Sequence, residues 1–154
     1  MKINIMSRFD LEELAENPFT EKVAIISITD IQKDDVTLEN PPYKMLKLKF
    51  DDVSYEIFTE ILGRKPDANE LKELSKRFHV LTSQQARDIA AFVKDNQDVD
   101  TMIFQCEYGQ SRSAAVAAAV MEYYRRSGIQ IFASPDYFPN KLVFKKVLTA
   151  LRAQ

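Results

Sequence analysis

The sequence predicts an α/β protein with a mainly parallel central sheet flanked by helices on both faces. Short apolar runs alternate along the chain with stretches in which apolar residues recur at helical spacing. Such alternation is typical of a parallel sheet whose crossover connections are helices. Residues 23–28 form a continuous run of mostly branched apolar residues, as expected for a strand buried on both faces. Because no repeat, linker or low-complexity segment interrupts the chain, we expect one domain over residues 1–154.

The first half of the chain is predicted to alternate between strands and helices. Ser7 is expected to cap a short helix. Residues 34–42 are polar and contain two prolines, which indicates a connection. A helix is expected over residues 57–62, ending at Gly63. The strands of this half are predicted at 2–6, 23–28 and 45–50.

The second half continues the alternation. Apolar residues at helical spacing among charges predict a surface helix or lid over residues 66–78. Thr82 and Gln85 fit a capping box for a helix that runs through Val93. Three further elements are expected: a strand at 101–104, a helix from about residue 112 that stops at Gly128, and a closing helix after 136–139.

Composition narrows the class of protein. A hydrophobic content of 45% and a charged content of 29% are ordinary for a globular domain and argue against disorder. The formal net charge is −2 without a basic block, so we expect no nucleic-acid partner. No apolar run approaches transmembrane length, and residues 1–6 are too few for a signal peptide, so no membrane association is expected. A lone cysteine cannot form an internal disulfide, which favours a reducing, cytoplasmic location.

That single cysteine lies in a segment suited to binding an oxyanion. Cys106 follows an apolar, strand-like run, and Arg112 follows after five intervening residues, at the start of an alanine-rich helical run. Anions bind at helix N-termini because the first N–H groups are unpaired and the helix dipole is positive there. Gly109 allows the loop backbone to adopt a positive φ and to approach a ligand closely.

The same segment combines a nucleophile with a phosphate-binding cation. The planar fork of Arg112 matches two phosphate oxygens, and a positive pocket favours the thiolate of Cys106, which is the reactive form. This pattern predicts a cysteine-dependent phosphatase, in which the same charges stabilise the transferring phosphoryl group. The alternative is an inert buried cysteine beside an unrelated arginine. Substrate contacts are expected from the loop and the arginine that follows it: Glu107, Tyr108, Gly109, Gln110, Ser111 and Arg112.

Residues 105–113 resemble the H-C-x5-R-S/T signature of cysteine-based protein phosphatases, and the stretch GQSRSA is closest to the dual-specificity branch. Residues 43–51 are similar to the strand of that family that ends in the general-acid aspartate. Pro139-Asn140, followed by Phe144 and Leu148, resembles the start of its last helix. The resemblance covers roughly residues 23–152. It implies a cysteine-phosphatase-like fold and hydrolysis of phosphotyrosine, alone or with phosphoserine and phosphothreonine, through a cysteinyl-phosphate intermediate. It also implies that Ser113 donates to the cysteine sulfur, the alternative being helix capping.

Three aspartates are candidates for the general acid. In open parallel sheets ligands bind beyond the carboxyl ends of the strands, and both Cys106 and Asp51 are expected there. Asp51 is therefore the first candidate to protonate the leaving group and then to activate water. The adjacent Asp52 and, less favoured, Asp30 at the end of another strand remain open alternatives. Asp51 and Asp52 also fit solvated residues at a strand end.

Two residues bear on catalysis and cofactors. Gln105 occupies the position where the resembled family usually has histidine, so it can orient the loop by hydrogen bonds but cannot carry a charge. His79 is interpreted as a surface or packing residue. One cysteine and one histidine cannot build a zinc site, and no cofactor is expected.

The functional alternatives stay open at this point. The expected substrate is a phosphorylated protein or a small phosphomonoester, and Glu107 disfavours a highly phosphorylated inositol head group. A catalytically impaired relative that only binds phosphate is the second interpretation. A sulfur- or arsenic-transferring enzyme with a similar cysteine loop, such as a rhodanese-like or arsenate-reductase-like protein, is the third. The sequence predicts no oligomeric state.

Overall fold

A computed structural model describes residues 1–153 as a four-stranded sheet with helices packed against it. The strand order is β1-β4-β2-β3 and every neighbouring pair is parallel, so the predicted α/β architecture with a parallel sheet is confirmed. The strands are β1 (Lys2–Met6), β2 (Val23–Thr29), β3 (Lys44–Lys49) and β4 (Thr101–Gln105). The helices are α1 (Arg8–Leu14), α2 (Tyr55–Leu62), α3 (Ala68–Arg77), α4 (Ser83–Asp95), α5 (Arg112–Arg125), α6 (Ile129–Ala133) and α7 (Lys141–Arg152).

The two central strands explain the continuous apolar runs of the sequence. All seven residues of β2 and all five of β4 are buried, because helices or loops cover both faces of the sheet. On one face, alternate residues such as Ile26 and Phe104 pack against α4, α5 and α7. On the other face, Ile25 and Ile103 pack against Leu11 of α1 and Val36 of the connection that precedes β3. The period-two alternation of strand side chains thus divides the core between the two faces.

Capping residues set several helix starts as predicted. Ser7 accepts a hydrogen bond from the N–H of Asp10, and Thr82 forms a reciprocal capping box with Gln85. α2 ends at Gly63, which has a φ of 70°. The surface helix expected over residues 66–78 is α3, which packs through Leu71 and Leu74 on a cluster around Phe58, outside the main core.

The end of α5 differs from the prediction. The helix stops at Arg125, and the residue in the left-handed conformation that follows is Arg126, with a φ of 52°. Gly128 has helical backbone angles and leads directly into α6. A β-carbon on Gly128 would lie 2.5 Å from the carbonyl oxygen of Ala118, so glycine is needed for close packing against α5. Close approach of two helices, rather than helix termination, explains this glycine.

Among residues 1–153, no helix combines the length and the apolar character that crossing a membrane would require.

Candidate active site

The carboxyl ends of the four strands bring the predicted site residues to one edge of the sheet. Cys106 follows β4, Asp30 follows β2, Asp51 lies two residues after β3, and Ser7 follows β1. The Cys106 loop, defined as residues 106–111, lies between β4 and the start of α5. This is the position at which parallel α/β sheets bind ligands.

Cys106 lies at the base of the loop beside a hydroxyl group. The residue is 2% exposed, and its Sγ is 3.0 Å from the Oγ of the fully buried Ser113. Its backbone N–H donates to the carbonyl of Met6, which joins the loop to β1. The sulfur therefore has one hydroxyl at hydrogen-bonding distance, and Ser113 can donate a hydrogen bond to a negatively charged sulfur.

Gln105 orients the base of the loop from inside the sheet. Its side chain is 1% exposed; its Oε1 accepts from the hydroxyl of Ser27, and its Nε2 donates to the carbonyl of Cys106 at 3.0 Å. Both ends of the amide are thus hydrogen-bonded, as burial of a polar group requires. A neutral side chain at this position holds the Cys106 carbonyl without adding charge beside the sulfur.

Gly109 allows the loop to pack directly on the turn between β1 and α1. It has a φ of 68°, and a β-carbon there would lie 2.6 Å from the carbonyl carbon of Met6 and from the nitrogen of Ser7. The N–H of Arg8 donates to the carbonyl of Glu107 in the same region. Glycine is required here both for its backbone angle and for the missing side chain.

The Arg112 guanidinium is anchored on one side and unpaired on the other. Its Nη1 lies 2.7 Å from Oδ1 of Asp30 and donates to the carbonyl of Phe50 at 2.7 Å. The residue is 4% exposed, and its Nε is a buried donor without a hydrogen-bond partner. The ends of β2 and β3 thus fix the orientation of the fork, while Nε is left without an acceptor.

Asp52 holds the end of the loop that leads into α5 through side-chain hydrogen bonds. Its Oδ1 accepts from the hydroxyl of Ser111 at 2.8 Å and from the side-chain amide of Asn140 at 2.9 Å. Asn140 also caps α7 by accepting from the N–H groups of Leu142 and Val143. Because Ser111 donates to Asp52, its side chain does not cap α5, and the first N–H groups of that helix receive no side-chain cap.

Asp51 is tied to neighbouring backbone. Its carboxylate accepts from the N–H of Ile31 at 3.1 Å, and its own N–H donates to the carbonyl of His79. His79 is exposed and has a φ of 52°, so its contribution is a backbone hydrogen bond. Asp51 is partly buried, and its side chain makes no hydrogen bond to the loop, in contrast to that of Asp52.

A set of alternating charges borders the loop on the side of β2 and α1. Lys33 lies 3.2 Å from Glu107 and 3.6 Å from Asp30, and Arg8 lies 3.9 Å from Glu107. The pKa of Lys33 is raised, chiefly by its hydrogen bond to Glu107, with smaller contributions that include Asp30 and Tyr108. Glu107 is therefore neutralised by two cations, and its charge does not act alone on an incoming anion.

The structure places the hydroxyl of Ser113 beside the sulfur of Cys106 and Arg112 at the end of the same loop. It gives the three candidate aspartates different partners: Asp30 pairs with Arg112, Asp52 with the loop, and Asp51 with backbone. The sequence did not identify Asn140 as a contact of Asp52. The only signal was that Pro139-Asn140 resembles the start of the last helix in cysteine-based phosphatases. The roles of Phe50 and Ser27 depend on strand pairing and left no signal in the sequence.

Comparison with solved structures places this arrangement in a known fold. The tyrosine phosphatase Tk-PTP in its active form has a TM-score of 0.54 and 14% identity, over 98% of this chain and 91% of its own. A mouse putative dual specificity phosphatase complexed with zinc tungstate has a TM-score of 0.48 and 17% identity, over 95% and 79%. No protein-family model matches the sequence, and no curated protein matches it. The first similarity confirms the predicted cysteine-phosphatase-like fold.

Proposed function

We propose that this protein is a phosphomonoester hydrolase that acts through a cysteinyl-phosphate intermediate on phosphotyrosine, or on phosphotyrosine together with phosphoserine and phosphothreonine. The observation that carries the proposal is the buried Nε of Arg112, a donor without an acceptor, in the residue that follows the Cys106 loop. Since a cysteine-dependent phosphatase needs a reduced thiol, the proposal includes a reducing, cytoplasmic location.

The unpaired donor supports a phosphate ligand on energetic grounds. Leaving a buried donor unsatisfied costs about 1–3 kcal/mol, so native structures rarely retain one without a reason. A phosphate oxygen would satisfy the Nε of Arg112 with a charge-assisted hydrogen bond. The N–H groups at the start of α5, which receive no side-chain cap, would supply further donors to the same dianion.

The chemistry follows from the residues around the sulfur. The thiolate of Cys106 attacks phosphorus and forms an S–P bond as the ester P–O bond breaks, and the leaving oxygen takes a proton from a carboxylic acid. Water then attacks the phosphocysteine, giving its proton to the carboxylate and its oxygen to phosphorus. As the S–P bond breaks, Ser113, 3.0 Å from the sulfur, donates a hydrogen bond to the returning thiolate.

We assign the role of general acid to Asp51, and we assign to Asp52 the role of holding the loop in position. Both side-chain contacts of Asp52 go to groups that hold the loop and α7 in place, Ser111 and Asn140. Asp51 makes no such hydrogen bonds to the loop, and the carbonyl of its neighbour Phe50 accepts a hydrogen bond from Arg112, which supports a role for this segment next to the loop. Asp30 is assigned as a positioning residue for Arg112 because it pairs with Nη1.

A second candidate function is phosphate binding without turnover. It is favoured by Gln105, whose buried amide cannot supply the positive charge of a protonated histidine beside the thiolate. If only a small fraction of Cys106 is deprotonated, the protein would bind a phosphorylated ligand and leave the ester intact.

One assay separates the two functions. Wild-type protein is expected to hydrolyse para-nitrophenyl phosphate, whereas Cys106→Ser should lose this activity and still bind vanadate, because the loop and Arg112 are retained. A wild type that binds vanadate without hydrolysis would establish the phosphate-binding alternative. Hydrolysis by Cys106→Ser at a rate near that of the wild type would refute the covalent mechanism.

A further inference from the structure

The edge of the sheet nearest the Cys106 loop is a strand with one free side. β1 lies at the end of the strand order, and within residues 1–153 it pairs only with β4. An edge strand presents N–H and C=O groups without partners, and extended peptides bind to such edges by adding a strand. The carboxyl end of β1 reaches the loop, because the carbonyl of Met6 accepts from the N–H of Cys106.

A groove of about 620 Å³, here called the β1 groove, follows this edge. It is bounded on one side by β1 and on the other by Met121 and Arg125 of α5, Ile131 of α6 and Tyr137. Four residues of a strand span about 13 Å, which is room for about four residues of a bound peptide. The lining residues from β1 are consecutive: Ile3, Asn4, Ile5 and Met6.

Two exposed phenylalanines, Phe9 and Phe138, are chain neighbours of residues that line the groove. Asp10 and Tyr137 line it, and they directly follow Phe9 and precede Phe138 in the chain. The segments that carry both phenylalanines are bonded to the loop: the N–H of Arg8, next to Phe9, donates to Glu107, and the N–H of Phe138 donates to Gln110.

The most exposed large apolar side chains belong to the Cys106 loop and to the two segments hydrogen-bonded to it. Tyr108, Phe9 and Phe138 are 76%, 73% and 70% exposed, the three highest values among the large apolar side chains of residues 1–153. Single exposed apolar residues are common on protein surfaces, but a group of them around one site marks a binding surface. All three residues belong to the Cys106 loop or to segments hydrogen-bonded to it.

We propose that the substrate is a phosphorylated polypeptide whose phosphorylated residue enters the Cys106 loop while an adjoining segment lies extended along the edge of β1. Apolar side chains of that polypeptide close to the phosphorylated residue contact Phe9, Tyr108 and Phe138. The β1 groove then takes about four residues by strand addition. This inference rests on the proposed function and names the substrate class of the same site.

Charge and continuity favour this occupant over a lipid surface. Phe9 is followed by the carboxylates Asp10, Glu12 and Glu13, and an anionic membrane would be repelled by them. The β1 groove adjoins the Cys106 loop at Met6, which lines the groove and accepts from the N–H of Cys106, so a segment attached to the phosphorylated residue can reach the groove.

The test uses one phosphotyrosine peptide with four residues on either side, synthesised in three forms. In an added strand only every second N–H faces β1, so N-methylation of one alternate set of amides should raise KM at least about tenfold, whereas methylation of the other set should not. On the protein side, Phe9→Ala and Phe138→Ala should each lower, by about tenfold, the ratio of kcat/KM for the unmethylated peptide to that for para-nitrophenyl phosphate, as loss of a buried aromatic contact implies. Tyr43→Ala is the control, because Tyr43 is 54% exposed and precedes the opposite edge strand, β3.

Three outcomes would overturn the inference: equal KM values for the two methylated peptides, an unchanged ratio in both phenylalanine variants, or a dimer in solution that pairs its β1 edges. Absence of para-nitrophenyl phosphate hydrolysis by the wild type would instead count against the proposed function. The groove is then tested by binding of the three peptides to Cys106→Ser. A difference between the two methylated forms supports strand addition, and equal affinity refutes it.

Discussion

At the residue scale, Arg112 combines structural anchoring with a free donor. Asp30 and the carbonyl of Phe50 hold Nη1, so the orientation of the guanidinium is set before any ligand arrives. Such preorganisation is the condition under which a fixed donor stabilises a transition state most effectively. The sequence indicated the arginine by its spacing from Cys106, whereas its anchors come from strands far away in the chain and became visible only in the fold.

Arg112→Lys is expected to lower both phosphate affinity and the rate of hydrolysis. Lysine keeps the charge but loses the planar fork, which fits the transition state better than the substrate, so kcat should fall more than affinity for vanadate. Steady-state kinetics with para-nitrophenyl phosphate and vanadate inhibition measure the two effects. An unchanged kcat/KM would remove Arg112 from the site.

The three aspartates should respond differently when they are changed to asparagine. Asp51→Asn should reduce hydrolysis of phosphotyrosine by the 10²–10⁴-fold that is typical of acid–base catalysis, and hydrolysis of an activated aryl phosphate far less. Asp52→Asn should have a small effect, because the amide oxygen still accepts from Ser111 and Asn140. Asp30→Asn should affect both substrates alike, since it acts through Arg112.

Kinetics with a series of leaving groups distinguish the three roles. If the loss that depends on the leaving group appears in Asp52→Asn instead, the acid is one residue further along the chain. If none of the three variants shows such a loss, the acid lies in residues 63–80, the segment that contains α3, or is absent, which would favour the phosphate-binding alternative.

At the scale of elements, some features depend on adjacent residues and can be predicted from the sequence, whereas others depend on contacts between residues far apart in the chain. The capping box of α4 and the glycine after α2 depend on a few adjacent residues, so the sequence predicted the start of α4 and the end of α2. Gly128 was misread because its function is to approach Ala118 of α5 rather than to end a helix. The same property, a missing β-carbon at a close contact, defines Gly109 in the Cys106 loop.

Gly109→Ala is expected to destabilise the fold and to reduce activity together. A left-handed conformation costs a non-glycine residue about 1–2 kcal/mol, and the contact with Met6 and Ser7 adds to this. Gly63→Ala is the matched control, because Gly63 has a similar φ of 70° but open space around its β-carbon position. Urea unfolding should show a larger loss of unfolding free energy for Gly109→Ala. Equal losses of unfolding free energy would mean that the turn after β1 moves to make room for the added methyl group at no cost in stability.

Glu70→Gln tests the start of α3. Two hydrogen bonds from Arg64 lower the pKa of Glu70 from its ordinary value of 4.5 to about 2. A carboxyl whose pKa is lowered on folding stabilises the folded state above its ordinary pKa, and the effect disappears as the pH falls through the folded value. Amide exchange in α3 should therefore be faster in Glu70→Gln at pH 7, and the difference should vanish near pH 2.

The control for this prediction is Glu73→Gln on the same helix, for which no ion pair is found within residues 1–153. It should leave the exchange rates at their wild-type values across the pH range. A difference in Glu70→Gln that persists unchanged at low pH would show that the effect is not electrostatic.

At the scale of the whole molecule, the sequence predicted the class of sheet and, except for α6, the strands and helices in chain order, because periodicity and capping are local signals. It did not predict which groups would meet at the carboxyl edge. Asp30 and Arg112 are joined by the pairing of β2 with β4, and Asp52, Ser111 and Asn140 by the packing of α7 against α5. These contacts depend on topology, and they decide the separate roles that we assign to the aspartates.

The most direct test of the central claim is detection of phosphate on Cys106 during turnover. Rapid acid quench of the wild type with an aryl phosphate should trap a small phosphocysteine fraction, and Ser113→Ala should increase it, because departure of the sulfur loses the hydroxyl 3.0 Å away. Cys106→Ser should trap no phosphocysteine and show no turnover. Turnover without any phosphate on Cys106, in the wild type and in Ser113→Ala alike, would contradict the proposed mechanism.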